Sequence, residues 1–106
     1  MPDLIAQGPG STDRWRREVP DATTGIEIII GRSEGDWNVP WDSQVSRKHV
    51  RLTPQADDRI EVVMLSTSRN PVFHRGQRSS RFILVPGDHF AIGKTCLLYT
   101  SDAADE

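Results

Sequence analysis

Apolar residues along this chain fall in short alternating or β-branched runs. No window keeps the three-and-four spacing of an amphipathic helix, so helices should be scarce. Residues 15–19 give a short candidate strand that ends at Pro20, and residues 26–30 form an isoleucine-rich run closed by Gly31 and Arg32. Residues 37–39 make a brief extended piece before Pro40. Residues 49–53 alternate, and residues 54–58 read as a turn-rich break. The clearest strand is 59–65. Residues 71–74, followed by a turn around Gly76, then 81–85 and 89–93 complete the pattern. Short strands at roughly even spacing, with Gly and Pro between them, predict an all-β sandwich or barrel.

The bulk numbers narrow this further. A chain of 106 residues holds one domain with a small core. Its net charge of −2 gives no basis for attachment to nucleic acid or to anionic lipid, so neither is expected as a partner. A single cysteine, Cys96, excludes an internal disulfide framework and points to a reducing compartment. No apolar run approaches the roughly 20 residues of a membrane span, and a cytoplasmic location is expected. Residues 1–13 carry Gly, Pro, Ser and Asp without periodicity and read as a loose leader before a domain at 14–95. Residues 96–106 (CLLYTSDAADE) resemble a translated sequencing-library adapter more than a natural terminus. On that reading the reading frame is cut near Thr95, the last strand is incomplete, and the tail adds at most an edge strand.

Three separated pieces carry candidate chemistry: Gly31-Arg32 after the isoleucine run, Ser46-Arg47-Lys48-His49 at a loop-to-strand junction, and residues 66–70 (STSRN) in a polar loop. Loops at one end of a sandwich converge there, and recognition sites are commonly built on them. Taken singly, each has a plain reading. Arg32 suits a solvated strand end, and Ser46 suits a turn hydroxyl bonded to its own backbone. At least one of Arg47 and Lys48 suits a solvated loop, and Trp37 and Trp41 suit packing beside Pro40. Catalysis has little to stand on. His49, His74 and His89 have no cysteine or carboxylate at ligand spacing, so no metal is expected. Residues 31–35 (GRSEG) lack the lysine and following helix of a phosphate-cradling loop.

Taken together and in order, the pieces resemble the forkhead-associated (FHA) family. The resemblance runs from Gly31-Arg32 through Ser46-x-x-His49 and Ser68-Arg69-Asn70 to Pro86-Gly87-Asp88 and Ile92-Gly93, covering about residues 25–95. Residues 44–49 and 69–73 look most like FHA modules of bacterial signalling proteins, some of which precede nucleotide cyclases. The resemblance implies an antiparallel two-sheet β-sandwich without catalysis or cofactor, binding phosphothreonine in partner proteins. A signalling enzyme domain attached beyond the cut is also implied.

A phosphothreonine carries close to two negative charges and three acceptor oxygens, which suits the paired donors of a guanidinium. Arg32 matches the family's phosphate-contacting arginine, and Ser46 its hydroxyl donor. Arg47 adds positive charge, while Gly31 and His49 support the site structurally. Asn70 matches the family's peptide-backbone contact. Arg69 stands where relatives carry Thr or Ser, with Ser68 as a hydroxyl substitute. Proline at 71, where relatives often have glycine, removes an N–H and biases Asn70 towards extended backbone. The alternative is a phospho-independent scaffold on the same fold.

Overall fold

Along β5 (Val50–Gln55) the side chains of Val50, Leu52 and Pro54 are buried, while Arg51, Thr53 and Gln55 face outwards. The neighbouring β6 (Arg59–Met64) repeats the alternation with Ile60 and Val62 inside. This period of two is the signature of a sheet with one face on a core. The computed structural model describes residues 2–101. The other strands are β1 (Pro2–Gln7), β2 (Arg14–Glu18), β3 (Ile28–Gly31), β4 (Trp37–Asn38), β7 (Val72–His74), β8 (Gln77–Arg78), β9 (Arg81–Leu84), β10 (His89–Ile92) and β11 (Thr95–Ser101). The helical content among the described residues is one 3-10 turn at Ala22–Thr24.

The strands form two sheets, in the orders β2-β1-β11-β10-β7-β8 and β4-β3-β5-β6-β9. Every pairing is antiparallel except β3 with β4, where Ile30 sits opposite Trp37 in a parallel bridge. Leu4, Val72, Phe90, Ile92, Leu97 and Tyr99 from the first sheet meet Ile30, Leu52, Ile60, Val62 and Leu84 from the second in one buried cluster. Burying each such side chain contributes ~1.5–3 kcal/mol. The strand pattern predicts a sandwich or barrel and the family resemblance a two-sheet β-sandwich, and the two-sheet sandwich is the fold observed.

Three local readings change, and a fourth, the turn at Gly76, holds and gains detail. The leader is not loose: β1 pairs with both β2 and β11 and buries Leu4 and Ala6 completely. Its alternation covers too few residues to register locally, and the strand is held by partners distant in sequence. Thr95 to Ser101 do not form an edge strand. β11 is an inner strand between β1 and β10, with Leu97 and Tyr99 in the core. Pro54 continues β5 instead of ending it, pairing with Ile60. β3 reaches only to Leu52, so Pro54 lies beyond the stretch flanked on both sides, where a strand tolerates proline. Finally, the turn around Gly76 is a two-residue hairpin to the short β8. Arg75 and Gly76 both have positive φ, 55° and 80°, which matches the strand twist.

Candidate functional site

The segments after β3, before β5 and after β6 are stitched together by backbone bonds. Arg32 N donates to Ser46 O at 2.9 Å, and Glu34 N donates to Arg47 O at 3.1 Å. Gly31 makes this approach possible, since a Cβ there would lie 1.9 Å from Arg47 O. Leu65 N donates to His49 O at 2.9 Å, which brings in the third loop. Arg69 N donates to the Ser46 hydroxyl at 3.0 Å, and the Asn70 amide donates to Gln44 O at 2.7 Å.

His49 is fully buried at the junction. Its Nδ1 accepts from Ser46 N at 3.0 Å, so its Nε2 carries the proton and donates to Asn70 O at 2.9 Å. Burial pushes the imidazole below its ordinary value of 6.5, outweighing the opposite pull of the Asn70 bond and the Asp42 charge.

Between the loops lies a solvent-open concavity of about 660 Å³, within the range of ligand sites. Of the residues singled out from the sequence, Arg32, Ser46, Arg47, Arg69 and Asn70 all line it. Ser68 does not: its hydroxyl donates to His49 O at 2.6 Å, and Thr67 lines the wall in its place. Arg32, Arg47, Lys48 and Arg69 set four cations against one carboxylate, Glu34, in a chain whose net charge is −2. Ser46 Oγ accepts from Arg69 N, which leaves its O–H to donate outwards. The Asn70 side chain uses one amide hydrogen on Gln44 and keeps its carbonyl for another partner. Pro71 immediately precedes β7, where its missing N–H removes no bond from the ladder.

A second set of bonds, invisible to the sequence reading, anchors the loop before β5. Asp42 is 3% exposed. Its carboxylate accepts from Gln44 N (3.1 Å), Lys94 N (2.7 Å) and Thr95 Oγ1 (2.8 Å), the last two at the β10–β11 turn. Trp41 Nε1 donates to the same Thr95 oxygen at 3.0 Å. Gly93 leaves the space, because a Cβ there would lie 2.7 Å from both Asp42 oxygens. Trp15 donates to Asn38 O at 2.9 Å and meets Trp37 edge to face.

At the far end of β7 from Asn70, Asp88 accepts from Arg75 Nε at 3.1 Å and pairs with His74 Nε2 at 2.8 Å. Burial alone would raise this carboxyl, but the bonds from Arg75 and His74 hold it below its ordinary range. No local pattern in the sequence marks this histidine–carboxylate pair, because the partners are fourteen residues apart. Among the described residues, no group of three His, Cys, Asp or Glu gathers to hold a metal. No helix among them is long and apolar enough to cross a membrane.

Comparison with known proteins agrees with this fold. The FHA domain family model matches residues 28–93. The FHA domain of CT664 from Chlamydia trachomatis superposes with a TM-score of 0.76 at 17% identity, covering 93% of this chain and 97% of that one. The FhaA FHA domain, solved in complex with the intracellular domain of Rv3910, gives 0.75 at 20% identity, covering 93% and 99%. The yeast Dun1 FHA domain, solved with a doubly phosphorylated peptide from Rad53, gives 0.68 at 24% identity, covering 93% and 72%. No curated protein sequence matches. With more than half of its length matched by the family model, the chain belongs to the FHA domain family.

Proposed function

We propose that this domain binds phosphothreonine in partner proteins, with the phosphate held between Arg32 and Ser46. The supporting observation is that a guanidinium and a hydroxyl from different loops line one solvent-open, cation-rich concavity. The Arg32 fork donates to two phosphate oxygens, and the Ser46 O–H donates to a third. Arg47 and Arg69 add charge around the dianion. Asn70, already tied to Gln44, offers its carbonyl to the N–H of an extended peptide. An unmodified threonine lacks the charge that makes these bonds strong, so phosphorylation by a kinase acts as the switch. The mechanism is recognition, with no bond made or broken. The Dun1 FHA domain, solved with a phosphothreonine peptide, is a precedent within the same family.

The test is a chemical-shift titration of the domain with a peptide pool centred on phosphothreonine. The expected result is saturable shifts at the Ser46 and Arg69 amides, the Asn70 side chain and Arg32 Nε. Shifts of the same size with the unphosphorylated pool would instead favour the phospho-independent scaffold.

A further inference from the structure

The concavity is cationic on most of its rim, but not on all of it. Glu34, in the β3–β4 loop, is its one carboxylate. The backbone around Glu34 is pinned. Its own N–H is tied to Arg47 O, and Asp36 N donates to Ile29 O at 2.7 Å. The Asn38 side chain brackets Gly35 through both its N–H and its carbonyl, at 2.8 and 3.1 Å. A Cβ on Gly35 would lie 2.5 Å from Ile29 O, so the loop sits flush on β3. The acid is thus held at the rim by a fixed scaffold, while the cationic Arg69 stands on the β6–β7 loop.

Glu34 Oε2 lies 3.9 Å from Arg47 Nε, and the two side chains are 54% and 71% exposed. A pair this open and this long contributes little. A phosphate dianion arriving beside Arg47 outcompetes the single charge of Glu34 for that guanidinium. Glu34 is then left near two added negative charges without its partner. A cation on the bound peptide relieves that repulsion, and a peptide carboxylate worsens it.

We propose that Glu34 is a specificity-determining residue: it selects phosphopeptides with a basic residue on the flank that passes over the β3–β4 loop. The proposal rests on the phosphothreonine reading of the site. It adds a charge preference that Arg32 and Ser46 do not supply.

The experiment measures affinity by fluorescence anisotropy at low salt. It uses phosphothreonine peptide pools carrying Lys or Glu at the positions before, or after, the phosphothreonine, and the unphosphorylated counterpart of each. On one flank the native domain should prefer Lys over Glu by about two- to fivefold, the range of an exposed charge pair. Glu34→Gln should bring that ratio close to one, and Glu34→Lys should invert it, with thermal stability unchanged by either. An identical preference in the native domain and in Glu34→Gln would overturn the proposal alone. Failure of the native domain to discriminate phosphorylated from unphosphorylated pools would overturn the site reading, and this inference with it.

Discussion

The Ser46 amide donates to Nδ1 of His49 at 3.0 Å, and the other nitrogen of the same ring reaches the Asn70 carbonyl at 2.9 Å. One imidazole therefore sets the spacing between two loops that each supply a wall of the concavity. Replacing it leaves a half-buried N–H and carbonyl without this partner and a cavity where the ring stood. His49→Ala should lose ~2–4 kcal/mol of stability in urea unfolding. The Asn70 side-chain resonances should shift with it, although His49 is not among the residues lining the concavity.

The same ring predicts an acid response. The folded pKa of His49 is depressed below 6.5, so the unfolded chain binds the proton first. Its contribution is complete above pH 6.5 and is lost as pH falls from there through the folded value. Asp88, also depressed from its ordinary 3.8, adds a second loss only at more acidic pH. Urea midpoints followed from pH 8 to pH 3 should fall in two stages, and His49→Gln should remove the first.

Asp42 ties the loop carrying Gln44 and Ser46 to the β10–β11 turn. Asp42→Ala removes the acceptor of the buried Thr95 hydroxyl and of the part-buried Lys94 N, which should cost ~2–4 kcal/mol. Thr95→Val, which removes one of the carboxylate's three donors, should cost ~1–2 kcal/mol. Thermal or urea unfolding checks both. A neutral Asp42→Ala would mean the loop is held by other contacts.

β11 is an inner strand of the first sheet. Tyr99 and Leu97 are buried between β1 and β10, and burial with the nearby Asp58 charge pushes the Tyr99 hydroxyl up to about 12. Tyr99→Ala and Leu97→Ala should each cost ~2–5 kcal/mol, while Leu98→Ala, on the outer face, should be within ~1 kcal/mol of neutral. Equal effects at positions 97 and 98 would contradict the register.

How much of this was legible in sequence depended on whether the signal was local. The strands through Ile30, Val62 and Phe90 declared themselves by β-branched alternation between Gly and Pro. β1 and β11 did not. Leu4 and Ala6 offer two alternating positions, and their strand exists because it lies between β2 and β11. Arg32, Ser46 and Asn70 stood out by their order along the chain. The Asp42–Thr95 and His74–Asp88 bonds join residues far apart in sequence, and no spacing rule marks them. Ser68 and Thr67 are neighbours, and only the turn that directs Ser68 to His49 O decides which faces the concavity.

The most direct measurement is calorimetric. A phosphothreonine peptide pool and its unphosphorylated counterpart are titrated into the native domain and into Arg32→Ala. Binding of the phosphorylated pool alone is expected, weakened by at least ~2 kcal/mol in Arg32→Ala through loss of a charge-assisted pair. Equal affinity for both pools, or an Arg32→Ala variant that binds as tightly as the native domain, would contradict it.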